Sequence, residues 1–124
     1  MKQRFLRCSH CGNIVAMVED KGVPVMCCGQ KMEEIVPNTT EAAEEKHIPV
    51  VTKNGDKVSV VVGGVEHPMT EDHLINWVVL ETTGGSQMKV LKPGDAPKAE
   101  FALAGGDAVL GVYAYCNLHG LWKA

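Results

Sequence analysis

Four of the five cysteines lie within the first 28 residues, and their positions most strongly constrain how this chain can fold. Cys8 and Cys11 are two residues apart, whereas Cys27 and Cys28 are adjacent, and each pair is followed by a glycine. Two thiolates at the first spacing, with a glycine that lets the turn tighten, are typical of a metal-binding knuckle. Adjacent side chains normally point apart, so we expect the backbone to bend at Cys27 and Cys28.

The amino-terminal segment requires such a metal because it has few apolar side chains with which to form a core. Between Lys2 and Pro37 the sequence predicts short strands interrupted by glycine and cysteine. Ordering each residue costs about 1.5 kcal/mol of conformational entropy, which burial alone cannot offset here. A structural metal contributes on the order of 10 kcal/mol in peptides of this size. We therefore predict a metal domain over residues 1–37, whose four thiolates would accept iron or zinc. His10, between the first two ligands, is expected to face solvent.

Charge and hydropathy argue against two classes of partner. The formal net charge is -3 and there is no run of lysine or arginine, so we expect neither nucleic acid nor a membrane surface as the main partner. No apolar signal-peptide region precedes Cys8, and the longest apolar stretch, 58–65, is too short to span a membrane. We expect a cytoplasmic protein, in which the cysteines stay reduced and serve metal or redox chemistry.

The remainder of the chain, residues 38–124, is predicted to be a small β-sandwich. Residues 38–46 resemble a short helical turn, because capping residues precede acidic and alanine-rich positions. From Pro49 onward, apolar residues alternate with polar ones, and turn signals such as Asn54-Gly55-Asp56 separate the strands. Strands are predicted at 50–53, 57–62, 74–82, 86–91, 99–103 and 108–115. Six or seven such strands suit an immunoglobulin-like sandwich, which makes the fold class all-β.

A second group of candidate ligands lies in this region. Cys116 and His119 have ligand spacing, His67 and His73 share one loop between strands, and His47 follows the helical turn. Taken singly, a loop histidine is usually solvated and a cysteine at a strand end is usually packed. A small sandwich nevertheless brings the loops at its ends together, so the five side chains could converge on one ion. Four nitrogens and one sulfur exceed the four ligands of structural zinc and leave an octahedral metal one open position.

Together these motifs resemble those of the desulfoferrodoxin family, the two-iron form of superoxide reductase. The four cysteines resemble those of desulforedoxin, and the rest of the chain resembles the superoxide reductase domain. The matching motifs of that domain are Glu45-Lys46-His47, His67-Pro68-Met69, His73, 91–97 and Cys116-Asn117-Leu118-His119-Gly120. The resemblance implies two iron ions per chain. One would be held by Cys8, Cys11, Cys27 and Cys28, and the other by His47, His67, His73, His119 and the axial sulfur of Cys116.

The resemblance also implies an activity, the one-electron reduction of superoxide to hydrogen peroxide at the ferrous histidine and cysteine centre. Lys46 would attract the superoxide anion, and Glu45 would occupy the open position when the iron is ferric. A homodimer is implied as well, together with re-reduction of the iron by an external electron donor such as rubredoxin.

Three other functions are compatible with parts of the pattern. An electron carrier would use both irons only to pass electrons, although a carrier gains nothing from an open coordination position. A zinc-stabilised binding module would use the cysteine knuckle as a scaffold and the sandwich as a partner surface. A dismutase would have to oxidise a second superoxide, which a site that reduces superoxide and then waits for a donor would not do efficiently.

Overall fold

The chain forms two compact units, Met1–Val36 and Pro37–Ala124. The computed structural model describes residues 2–124, so Met1, the first residue of the predicted amino-terminal domain, lies outside the described residues. Within residues 2–124 the single helix is the four-residue α1 (Glu44–His47), and the regular structure is otherwise β-strand, as the sequence predicts. No helix in this described part is long and apolar enough to cross a membrane.

The first unit contains a three-stranded antiparallel sheet and a separate two-stranded hairpin. Its strands are β1 (Phe5–Arg7), β2 (Ile14–Ala16), β3 (Met26–Cys27), β4 (Gln30–Lys31) and β5 (Glu33–Glu34). Among residues 2–36 the buried side chains are Phe5, Leu6 and Cys8. Full burial of one large apolar side chain contributes only about 1.5–3 kcal/mol. This core is therefore too small to order the unit, which is consistent with a requirement for a bound metal.

The second unit is a sandwich of two antiparallel sheets. Its strands are β6 (Pro49–Asn54), β7 (Lys57–Val62), β8 (Ile75–Thr82), β9 (Gly85–Val90), β10 (Lys98–Ala102), β11 (Val109–Cys116) and β12 (Gly120–Lys123). One sheet has the order β10-β7-β6, and the other has the order β12-β11-β8-β9. The sequence predicts the first six of these strands to within two residues. It does not predict β12, which is only four residues long and offers little alternation to detect.

Side chains that alternate along the strands fill the space between the two sheets. On β7 the buried residues are Val58, Val60 and Val62, and on β11 they include Ala114 and Cys116. This two-residue period is that of strands with one face against a core. Cys116 is therefore the last core residue of β11, and its fully buried sulfur lies where the strand ends.

The segment before the sandwich differs from its prediction. The helix begins at Glu44 after Ala43, which offers no side-chain cap, although the capping residues of the sequence lie further upstream. Asn38, one of those residues, instead bonds to the last strand. Its Nδ2 donates to Lys123 O at 3.1 Å, and its Oδ1 accepts from Lys123 N at 2.9 Å. The amide thus serves long-range pairing, which a local capping pattern cannot reveal.

Candidate metal centres

The four amino-terminal cysteines lie together at two turns of the first unit. Cys8 and Cys11 come from the turn between β1 and β2, and Cys27 and Cys28 come from the end of β3 and the turn after it. Their sulfur atoms all lie within 4.8 Å of one another. Cys28 has a φ of 53°, so the backbone bends at the adjacent pair as expected, and the two sulfurs come within 4.0 Å. His10 is exposed and is not part of the cluster.

Hydrogen bonds shift the pKa values of these thiols in opposite directions. The backbone N–H of Cys11 points at the sulfur of Cys8 at 3.4 Å, and such bonds lower the pKa of Cys8 to about 6. Neighbouring thiols, Cys11 first, have the opposite effect and raise the pKa of Cys28 to about 12. Hydrogen bonds with the thiols of Cys11 and Cys8 also raise the pKa of Cys27. Cys27 and Cys28 can therefore be thiolates at neutral pH only if a cation compensates their charge.

Four histidines and the fifth cysteine form a second cluster at one end of the sandwich. His47 ends α1, His67 follows β7, His73 precedes β8, and Cys116 and His119 flank the turn between β11 and β12. Neighbouring imidazole centroids around the ring 47, 67, 73, 119 are 4.5–5.1 Å apart, whereas the diagonal from His47 to His73 is 6.4 Å. Donor atoms of His47, His67, His73 and Cys116 lie within 4.8 Å of one another, and His119 Nδ1 lies 3.8 Å from the sulfur. The five predicted side chains are thus brought together.

Two of the imidazoles are held with their Nε2 atoms facing the centre of the ring. His47 Nδ1 donates to Ala43 O, and His67 Nδ1 donates to Pro68 O, each at 2.7 Å. In the neutral rings the Nε2 atoms are then unprotonated, yet they lie only 3.2 Å apart. Lone pairs at this distance repel unless a cation compensates them. Metal-ligating histidines are commonly held through their outer nitrogen in this way.

Burial keeps these ligands in the form that binds a metal. Loss of solvent lowers the pKa of His67 to about 4 and also lowers the pKa of His47 and of His73. Burial raises the pKa of the Cys116 thiol, which a nearby cation would reverse. The Nε2 atom of His73 is buried without a hydrogen-bond partner, although buried polar atoms are normally paired. A metal ion would satisfy this atom.

The donor sets fit iron at both clusters. Four thiolates around one ion suit iron or zinc in a tetrahedral site. Four imidazoles in a ring, with one thiolate beside them, suit an iron ion with a further coordination position for a small molecule. The chain is therefore consistent with two iron centres of different chemistry, one in each unit.

Glu45 and Lys46 lie on α1, immediately before the ligand His47, and both are exposed. Lys46 is close enough to the cluster for its charge to contribute to the lowered pKa of His73. The helix is attached to the loop after β7, because Val65 N donates to Glu45 O at 2.7 Å. A positive charge is thus available beside the imidazole ring.

Three residues near the second cluster were not predicted from the sequence. Trp122 stacks on His47, Asn117 bonds to the loop that carries His73, and Gly63 packs against the backbone of α1. Asn117 lies between Cys116 and His119 in the sequence motif that contains both ligands. The spacing of the ligands does not by itself assign a role to the residues between them. Nothing local distinguishes Gly63 from Gly64.

Comparisons with known proteins agree with this arrangement. A family model described as desulfoferrodoxin matches residues 39–124. The desulfoferrodoxin of Nitratidesulfovibrio vulgaris is 47% identical over 118 residues, which cover 95% of this chain and 92% of that protein. The superoxide reductase of Pyrococcus horikoshii is 35% identical over 96 residues, covering 64% of this chain and 84% of that protein. The crystal structure of the superoxide reductase from Treponema pallidum matches with a TM-score of 0.84 and 40% identity, covering 100% of this chain and 99% of that chain.

Proposed function

The chain belongs to the desulfoferrodoxin family, and we propose that it is a superoxide reductase. The proposed reaction combines superoxide with one electron and two protons to form hydrogen peroxide. The observation that carries the proposal is the five-donor cluster of the second unit. Its four imidazoles and one thiolate leave a sixth position on an octahedral metal, which a structural or purely electron-carrying site does not need.

We propose that two sets of residues hold iron. The first set is Cys8, Cys11, Cys27 and Cys28, and the second is His47, His67, His73, His119 and Cys116. Iron bound to the second set would supply the electron and the open coordination position. The residues themselves have simpler tasks: the carbonyls of Ala43 and Pro68 orient two imidazoles, and the core packing of Cys116 holds its sulfur at the end of β11.

Lys46 is proposed to draw the substrate to this cluster. Superoxide is an anion and the formal charge of the chain is -3, so capture depends on local positive charge. The exposed ammonium of Lys46 lies one residue before His47 and can also order the water that delivers protons. Glu45 is proposed to occupy the open position when the iron is ferric, and the bond from Val65 N to Glu45 O that holds its backbone supports this role.

The reaction consumes one electron per turnover, so an external donor must restore the second centre. We propose a small redox protein such as rubredoxin as this donor, a homodimer as the assembly and the cytoplasm as the location. The family resemblance supports the donor and the dimer, and cysteines placed to hold a metal suit a reducing compartment. Sedimentation of the iron-loaded protein would test the dimer, and reduction by purified rubredoxin would test the donor.

The central experiment is anaerobic purification and metal analysis, followed by superoxide consumption with and without a reductant. We expect two irons per chain, one hydrogen peroxide for each superoxide consumed, and sustained turnover only when a reductant is present. Release of oxygen, with half as much peroxide, would instead indicate a dismutase. Zinc without visible absorption would favour a binding module, and oxidation of iron without binding of superoxide would favour an electron carrier.

A further inference from the structure

We propose that Asn117 is a positioning residue that holds His73 against the turn bearing Cys116 and His119. This inference deepens the proposed function and rests on the second cluster being a metal centre. Asn117 is not a donor in the cluster. It lies on the exposed side of the β11–β12 turn, and its side chain reaches across to the loop before β8.

The Asn117 amide bonds to the backbone on both sides of His73. Its Oδ1 accepts from Leu74 N at 3.0 Å, and its Nδ2 donates to Asp72 O at 2.9 Å. The backbone N–H of Asn117 also donates to Leu74 O at 3.3 Å. One residue therefore makes three hydrogen bonds to the two neighbours of a ligand, although the two segments are more than 40 positions apart in the chain.

His73 depends on such support more than its neighbours do. The rings of His47 and His67 are each oriented by a bond from Nδ1 to a carbonyl, and the carbonyl of His119 accepts from Trp122. The structure shows no hydrogen bond from the His73 ring to another described residue, and its buried Nε2 is the atom that a metal ion would satisfy. Its backbone instead bonds to Thr70, within the same loop. The Asn117 side chain adds a tie between this loop and the end of β11, beyond the strand pairing of Ile75 with Cys116.

The position of Asn117 in the sequence makes this tie specific. Asn117 lies between Cys116 and His119 in the turn that carries both, so its amide links their position to that of His73. Loss of the amide would remove two of the three hydrogen bonds between this turn and the neighbours of His73, while leaving the sulfur and the other three imidazoles in place. Removing a residue that orients a metal ligand typically weakens metal affinity by about 10–100-fold.

The test compares iron release from Asn117→Ala and Asn38→Ala. Asn38 is the matched control because its amide also accepts from one backbone N–H and donates to one backbone C=O, both of Lys123, within the same unit. Iron-loaded proteins would be challenged with a chelator, and each centre followed by its own visible absorption. The four-cysteine centre of the same chain serves as an internal reference.

We expect Asn117→Ala to release iron from the second centre about tenfold faster and from the first centre at the unchanged rate. Asn38→Ala should leave both release rates unchanged even where it lowers stability. In a His73→Ala background, Asn117→Ala should increase the rate of iron release little further, because the ligand that Asn117 positions is already absent. Asn117→Asp keeps the shape and the acceptor but loses the donor. Its rate of iron release should lie between those of the wild type and Asn117→Ala.

The proposal would be overturned if iron left the second centre at equal rates in the wild type, Asn117→Ala and Asn117→Asp. It would also be overturned if Asn117→Ala accelerated iron release as much in the His73→Ala background as in the wild type. If Asn117→Ala does not fold, the isosteric Asn117→Asp decides the question by the same measurement. Iron release does not depend on superoxide. A protein that binds iron at both centres without consuming superoxide would therefore refute the proposed function and leave this test valid.

Discussion

The indole of Trp122 stacks on the imidazole of His47, with the ring centroids 4.9 Å apart and the planes inclined by 28°. The same indole donates from Nε1 to the backbone carbonyl of His119 at 3.1 Å. Trp122 is buried, so this packing and this bond are shielded from water. One core side chain of β12 thus restrains two neighbouring candidate ligands.

Trp122→Phe should retain most of the stacking and lose the hydrogen bond to His119. We expect a loss of about 1 kcal/mol in the free energy of unfolding and faster iron release from the second centre. Denaturant unfolding and the chelator assay would measure the two effects. Trp77→Phe is the control, because Trp77 stacks on Tyr115 rather than on a histidine. Equal iron release from the two variants would contradict the role of Trp122.

Gly63→Ala should displace the helix that carries Lys46 and His47. A Cβ atom at Gly63 would lie 2.8 Å from Glu45 O and 2.9 Å from Ile48 O, and both neighbours are backbone atoms that cannot rotate away. We expect a loss of about 1–3 kcal/mol in stability and slower superoxide consumption.

Gly64→Ala is the matched control for that substitution. A Cβ atom at Gly64 would meet Glu45 O only at 3.8 Å, an ordinary contact. Stability and the rate of superoxide consumption should therefore both stay close to the wild type. Identical behaviour of the two alanine variants would show that close packing at Gly63 does not position the helix.

Lys46→Ala should slow the capture of superoxide without removing iron, because it deletes an exposed charge rather than a donor of the cluster. We expect a second-order rate about tenfold lower at low ionic strength, with a smaller difference at high salt. Lys46→Arg should retain most of the rate because it keeps the charge. Stopped-flow mixing with superoxide would measure all three proteins, and an unchanged rate for Lys46→Ala at low salt would refute steering.

Cys27→Ser should disrupt the first iron centre and spare catalysis at the second. Its sulfur lies 3.7 Å from that of Cys11, so the substitution removes one of four crowded donors. Cys116→Ser should do the reverse, with loss of superoxide reduction and retention of the first centre. Metal analysis and the superoxide assay would be run on both variants. A folded Cys27→Ser protein that keeps its second iron but no longer reduces superoxide would contradict the separation of roles.

The iron-free protein should lose stability as the pH falls from about 6.5 towards about 4. Burial lowers the pKa of His67 from its ordinary value of 6.5 to about 4, so between these values the unfolded chain binds a proton that the folded chain does not. Above about 6.5 both states are neutral at His67, and its contribution does not change. Through His67, the free energy of unfolding should thus be lower near pH 5 than at pH 7.5 by on the order of 2 kcal/mol.

Denaturant unfolding at these two pH values would measure this loss. His67→Gln should make the dependence on pH shallower, because the buried imidazole is then absent. A dependence that stays the same in the His67→Gln protein would contradict the assignment to His67.

The sequence by itself determined the all-β class, six strands of the sandwich and the local part of each candidate centre. Alternation with a period of two requires one apolar face, and this predicted β7 and β11 to within one residue. The close spacing of Cys8 and Cys11 likewise limits what those thiols can do, because a turn of that length leaves their sulfurs near each other. These are properties of neighbouring residues, which local chemistry controls.

Only the tertiary structure decided which distant residues meet. Neither the ring of four imidazoles nor the supporting contacts of Asn117, Trp122 and Gly63 follow from local pattern, since each joins segments separated by many residues. The family resemblance named the ligands in advance, but it did not supply the carbonyls that orient them. Such contacts depend on how two sheets pack and where their loops end, so they are set by the whole core rather than by any one motif.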